Sequence, residues 1–264
     1  MKKVLTICLL LFTLFSDAQT KEGRVVYERV FQLPTRMFNV DPSVAAQIPK
    51  SRTDQYELLF SNNHVLWQYI PNATNEGDGN VFAGGGVVFR FAGSGDVSFF
   101  DLDNGTRVDQ REIMDRSYVV TDSIRKQQWK LTEETKTILN HLARKATSQR
   151  ISTRMQMTME NGEMKRTPIQ DTSTVVAWFT TDIPVSAGPE FSGQLPGLIL
   201  ELDIANGQTV YHALEISPSV NAKKIKEPKD GKKLTAAEFT VERDKIMEEM
   251  RKNSPAGMDI RIQN

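Results

Sequence analysis

Cysteine is almost absent: Cys8 is the only one in 264 residues. It lies in an apolar N-terminal run, so the rest of the chain has no disulfide framework, no Cys-based zinc site and no thiol nucleophile. Net charge is lacking too. Lys+Arg and Asp+Glu both number 33, so no overall field draws in nucleic acid or anionic lipid. Beyond the N-terminus no apolar stretch approaches the roughly 20 residues of a membrane-spanning helix. There is no nucleophile elbow, HExxH, P-loop or dinucleotide fingerprint. Gly84-Gly85-Gly86 precedes a β-like run rather than a helix and so lacks a phosphate-binding context. No pattern implies a cofactor, and no two carboxylates are paired by spacing for acid–base work.

The N-terminus carries an export signal. Lys2 and Lys3 form a basic start, Val4 to Phe15 is apolar, and Ser16-Asp17-Ala18 offers small residues around a cleavage point. This is the layout of a secretory signal peptide over residues 1–18, too short to span a bilayer. The mature chain, residues 19–264, is expected to be one β-rich domain with no transmembrane span, in the periplasm or outer cell envelope. Without Lys2, Lys3 and Asp17 it keeps 31 basic and 32 acidic residues.

Most of that chain alternates with period two between turn signals. Gly23–Leu33, Gln55–Phe60, Val65–Ile70, Val87–Phe91 and Val97–Leu102 read as strands. Residues 39–51, with Pro42 and Pro49, read as a loop or short helix, and the glycine-rich 72–86 as a loop. Ser61-Asn62-Asn63-His64 suits a hairpin turn. Asn104-Gly105, Asn161-Gly162 and Asn206-Gly207 are the strongest hairpin signals, because Asn-Gly tolerates the positive φ of a type I′ turn. The last joins Leu198–Ile204 to Thr209–Ile216, and the middle one joins Ile151–Glu160 to Glu163–Ile169. One helix is expected over about 235–253. Thr235 and Glu238 form a capping box, Phe239, Ile246 and Met250 fall near one face, and Ser254-Pro255 ends it. A lysine-rich stretch, Lys223 to Lys233, precedes it. The fold class is therefore mainly β with minor α: a curved antiparallel sheet with one C-terminal helix.

From Gln128 a family resemblance emerges. Trp129-Lys130-Leu131, Glu134 to Ile138 and Arg144-Lys145-Ala146-Thr147 lead to Ala177-Trp178-Phe179-Thr180-Thr181-Asp182-Ile183-Pro184-Val185, then Gly188-Pro189 and Gly193-Gln194-Leu195-Pro196-Gly197-Leu198-Ile199. The chain resembles the GLPGLI family, exported proteins of one group of Gram-negative envelopes. The resemblance is good over roughly 128–216. Gln194 stands where the family has its first motif glycine, with Gly193 one place earlier. Leu142-Ala143-Arg144 stands where the family often has a cysteine. The resemblance implies an envelope location and no established activity. By analogy it suggests a bowl-like or half-barrel sheet that holds a hydrophobic ligand.

The motif also reads from its residues. Pro184, Gly188, Pro189, Gly193, Pro196 and Gly197 make an irregular loop between two strands, entered by Trp178 and Phe179. It either closes one end of the sheet or forms a ligand or partner loop; Trp178, Phe179, Pro184, Gly188, Pro189, Leu195, Pro196 and Gly197 are the candidate residues. Met155, Met157 and Met159 alternate, so their thioethers share a strand face. They are either core or a soft-metal site suited to Cu(I). His64, His141 and His212 have no metal-binding spacing and read as structural. Asp101-Leu102-Asp103-Asn104-Gly105 resembles part of a calcium loop but reads as a turn. Asp122-Ser123-Ile124 matches a short envelope glycosylation pattern at Ser123. The expected function is that of a non-catalytic exported protein binding a hydrophobic ligand or an outer-membrane protein partner. Copper handling and a secreted hydrolase or its accessory domain are the alternatives.

Overall fold

The computed structural model of the chain describes residues 22–33, 50–71, 81–84, 87–90, 96–160 and 163–253. The expected leader, the loop at 39–49, the Gly-Gly pair at 85–86 and the Asn161-Gly162 turn lie outside them. The strands are β1 (Glu22–Gln32), β2 (Ser51–Ser61), β3 (His64–Ile70), β4 (Val81–Gly84), β5 (Val87–Arg90), β6 (Val97–Asp101), β7 (Thr106–Ile113), β8 (Arg116–Ser123), β9 (Lys130–Ile138), β10 (His141–Glu160), β11 (Glu163–Thr180), β12 (Leu198–Ile204), β13 (Thr209–Ser217) and β14 (Lys232–Thr235), with helix α1 at Ala236–Asn253.

Twelve strands form one sheet in the order β14-β8-β7-β6-β3-β2-β1-β13-β12-β11-β10-β9, and β4 pairs with β5 separately. The sheet does not close: β14 and β9 are its edges. Mainly β with one C-terminal helix is thus borne out, with two refinements. The expected antiparallel sheet has one parallel pair, β14 on β8, made by residues of the lysine-rich stretch. The loop expected at 72–86 contains β4, whose apolar Val81-Phe82 pairs with Arg90 and Phe89 of β5.

The turns explain the meander. Asn62 and Asn63 between β2 and β3, and Asn206 and Gly207 between β12 and β13, all have positive φ, the geometry that suits a twisted hairpin. Gly105 does the same between β6 and β7. There Asp101 Oδ1 accepts from the backbone N–H groups of Asp103 and Asn104 at 3.1 and 3.0 Å, so the Asp-rich segment is a turn.

Paired residues share a face. On the inner face Val25, Tyr27, Leu58, Phe60, Val65 and Phe100 form the main core. On the outer face Leu59, Leu66 and Phe99 form a smaller cluster, covered by Val220 and Ile225 from the segment after β13. Helix α1 begins as expected: Thr235 Oγ1 accepts from the Glu238 N–H at 3.3 Å, and a Glu238 carboxylate oxygen accepts from the Thr235 N–H at 2.8 Å. Its Phe239 and Ile246 pack on Tyr118 and Val120 of β8, with Phe239 edge-on to Tyr118 at 5.5 Å. Val120 pairs with Asp109, Asp109 with Ser98 and Ser98 with Trp67, so the helix covers the inner face at the β8 end.

Candidate functional site

The motif loop, residues 181–197 between β11 and β12, fills the inner face at the other end. Ile183, Val185 and Ala187 join the Val25–Tyr27 core. Phe191 and Leu195 pack with Phe179, Ile199, Leu202 and Tyr211. The loop satisfies much of its own backbone: Gly193 N–H donates to Ser186 O at 2.7 Å, and Ile199 N–H to Ala187 O at 2.9 Å. Ser192 Oγ, almost fully buried, donates to Gly188 O at 2.9 Å. Across the molecule, the buried Tyr27 hydroxyl donates to Ile199 O at 2.6 Å. Burial raises the pKa of that phenol far above the ordinary range.

Two glycines are demanded by contact. A Cβ on Gly197 would run into the Thr180 carbonyl, and one on Gly188 would lie 2.5 Å from Ile199 Cβ. Gly193 has φ +80, so the glycine requirement is met one place before Gln194. Gln194 has its own task. Its Oε1 accepts from Gln127 N–H at 2.9 Å and Trp129 Nε1 at 3.4 Å, and its Nε2 donates to Arg125 O at 2.5 Å. It therefore holds the segment that crosses from β8 to the distant edge strand β9.

Of the residues singled out in the loop, Phe179, Gly188, Pro189, Leu195 and Gly197 are buried, whereas Pro184 and Pro196 are exposed. Trp178 is half-buried beneath the Lys136 ammonium, 4.4 Å from its ring. Ser123 is exposed at the end of β8. Met155, Met157 and Met159 lie on β10 opposite Pro168, Arg166 and Met164; their side chains lie outside the description. Among the described residues no three His, Cys, Asp or Glu side chains group to hold a metal. His141 Nδ1 lies 3.2 Å from Asp182 and His212 Nδ1 3.4 Å from Glu201.

The loop also reaches a polar cluster that the sequence reading missed. Glu190, at φ +54, accepts from the Tyr211 hydroxyl at 2.9 Å and pairs with Arg150 at 2.9 Å. Beside Tyr211, Asp54 is 2% exposed and bridges Arg29 and Arg52, each at 2.6 Å. The Arg29 guanidinium lies 4.9 Å over the Tyr56 ring, within cation–π range. Tyr56 stacks on Trp67 at 5.0 Å and 6°, and Tyr211 meets Trp67 edge-on at 5.9 Å. Burial pushes the Tyr56 phenol up to about 12 against the opposing pull of Arg29, so it is a neutral hydrogen-bonding group. Burial works against the Arg29 charge, but Tyr56, Tyr211 and Asp54 more than restore it.

Arg29 Nε is the one buried side-chain nitrogen or oxygen among the described residues with no hydrogen-bond partner. Elsewhere on the same face, Arg107 and Arg111 are fully matched by Asp109 and Asp96. An orphaned donor in an otherwise satisfied interior is unusual. The Arg29 side chain keeps 26% exposure and Arg150 43%, so solvent reaches the cluster's rim. Chemically it offers an N–H, cationic charge and aromatic edges, which suits an acceptor-bearing ligand. A signal was present in the sequence. Asp54, Tyr56, Leu58 and Phe60 alternate in one strand, so a carboxylate shares the parity of core residues.

No curated protein matches the chain. Two solved structures have a similar fold: "Structure of PNGF-II in C2 space group", at 17% identity and TM-score 0.50, and "Structure of PNGF-II in P21 space group", at 17% identity and TM-score 0.51. The matches cover 83% and 84% of this chain, but only 32% and 33% of those chains. The chain thus spans about a third of their length. No helix among the described residues is long and apolar enough to cross a membrane. A family model described as "Protein of unknown function (Porph_ging)" matches residues 129–201. This bears out the resemblance read from the sequence: over those residues the chain carries the GLPGLI signature, that of a family of exported Bacteroidetes proteins.

Proposed function

We propose that the chain is an exported, non-catalytic envelope protein that binds a partner through a carboxylate received at the Arg29 cluster. The orphaned Arg29 Nε carries this reading. A buried unsatisfied donor costs on the order of 1–3 kcal/mol, which a ligand acceptor would recover. Guanidinium suits carboxylate, because its fork offers parallel N–H donors. The partner-protein alternative is favoured over an acyl chain in the hollow, because Ile183, Val185, Phe191 and Leu195 fill that part of the inner face. In this reading the motif loop is a plug whose Glu190 positions Tyr211 and Arg150, and export follows the leader at residues 1–18.

The test is titration calorimetry of the mature chain with N-acetylglutamate and, in parallel, its neutral amide N-acetylglutamine. Saturable heat with the acid alone is expected. Arg29→Lys keeps the charge but removes Nε, and should weaken binding at least tenfold with an unchanged circular dichroism spectrum. Equal responses to acid and amide, or no response to the acid, would overturn the reading.

A further inference from the structure

Opposite the plugged face lies a space that the motif loop does not touch. After β13 the chain crosses the outer face. Asn221 caps a short 3-10 turn at Ala222–Lys224, its side chain accepting from the Lys223 N–H. Val220 and Ile225 press onto Leu59, Leu66 and Phe99. Residues Lys226 to Asp230 then border an open space beside the sheet, before β14 rejoins it. Between these residues and strands β3, β6 and β7 is an open groove of about 670 Å³, within the usual size range of small-molecule sites. Its floor is Leu66 and Val97, with the amides of Gln68 and Gln110, and its wall includes Lys224, Lys226 and Lys229.

The groove's lysines make no close ion pair among the described residues, although Lys224 acts through space on the nearby Glu57. Gln68 Nε2 donates to Glu57 at 2.6 Å, and Arg24 takes the other oxygen of Glu57 at 2.7 Å. That carboxylate is therefore already occupied. Among the described residues Lys224, Lys226 and Lys229 make no ion pair. Glu227 and Asp230 share the wall, leaving an excess of one positive charge. Apolar floor, spare amide and single excess charge together describe a ligand with an alkyl segment and a singly charged anionic head.

We propose that this groove binds a monomeric anionic amphiphile, with its head on Lys224, Lys226 and Lys229 and its alkyl segment along Val97, beside the edge of the largely covered Leu66. The site is separate from the Arg29 cluster, so each reading can fail alone. The same head chemistry occurs in free fatty acids and in bilayer headgroups, and the test separates them. The mature chain is titrated with dodecanoate below its micelle concentration, with dodecanol, and with phosphatidylglycerol vesicles, following displacement of a fluorescent fatty-acid probe and co-sedimentation. Saturable dodecanoate binding at least tenfold tighter than dodecanol is expected. It should weaken at least tenfold in Lys224→Gln/Lys226→Gln/Lys229→Gln, and stay unchanged in Arg29→Lys. These lysines are exposed, so the triple variant should fold, as its melting temperature will verify. Equal binding of dodecanoate by the triple variant, no dodecanoate binding, or association with vesicles alone would overturn the proposal.

Discussion

Two irregular segments cover the sheet, one on each face, and they solve opposite problems. The motif loop at 181–197 buries nine of its residues, from Ile183 to Gly197, and closes hydrogen bonds on itself. The segment at 218–230 buries none of its side chains fully and packs its apolar residues on the sheet through Val220 and Ile225. Their compositions explain the difference. Pro and Gly let the loop turn without leaving donors unpaired or side chains in the way, so it can enter a core. Lysines need water around the ammonium group, so their segment stays outside. A core-filling loop is intolerant of added atoms, whereas an outlying one is tolerant and leaves room for a ligand.

The largest effect should come from adding one methyl group to the loop. Gly197→Ala places a Cβ against the Thr180 carbonyl, a backbone atom that cannot rotate away. Destabilisation on the order of 3 kcal/mol is expected, the upper end of ordinary overpacking. Pro228→Ala in the opposite segment should stay within about 0.5 kcal/mol. Urea denaturation of both measures the contrast. Similar midpoints for the two variants would break it.

Next is the crossing segment. Gln194→Ala removes the acceptor for Gln127 N–H and Trp129 Nε1. A loss of about 1–3 kcal/mol is expected, with a red shift of Trp129 emission as its contact with Phe191 loosens (the rings now meet edge-on at 5.4 Å). Gln194→Gly, which would complete the GLPGLI-like motif, should lose as much. If it gains stability, the glycine at 193 does not substitute for one at 194.

These positions also show what was legible in the sequence. The Asn206-Gly207 hairpin and the Thr235–Glu238 cap were readable because each is a local device: three or four residues decide the backbone. The irregular loop was readable for the same reason, but its buried destination was not. Strand β9, Lys130 to Ile138, was not read as a strand because it is an edge strand with both faces largely exposed and so shows no apolar alternation. The β7–β8 turn was missed because Met114 takes positive φ, which nothing in its side chain favours. The parallel β14 depends on a partner more than 110 residues away. The Arg29 cluster joins strands β1, β2, β3, β10 and β13 with the loop, so spacing within any one segment could not assemble it.

The smallest effect concerns the floor of the open face, and its sign can be worked out. Burial of Glu57 disfavours its charge, but Arg24 and Gln68 bind both carboxylate oxygens and hold its pKa below the ordinary glutamate value. A carboxyl group with a depressed folded pKa contributes stability that is complete above its unfolded pKa and is lost as pH falls through the folded one. The wild type should therefore lose stability on acidification below the ordinary glutamate range. Glu57→Gln should be less stable at neutral pH, and its stability should fall less steeply as acid is added. Arg24 and Glu57 are both partly solvated, so the neutral-pH difference should be modest, within about 1 kcal/mol. The plug offers a control, because Ser192 and the loop backbone bonds do not titrate: Gln194→Ala should shift the whole pH–stability curve without changing its acid slope. A Glu57→Gln curve merely parallel to that of the wild type would mean that the groove floor does not depend on this charge.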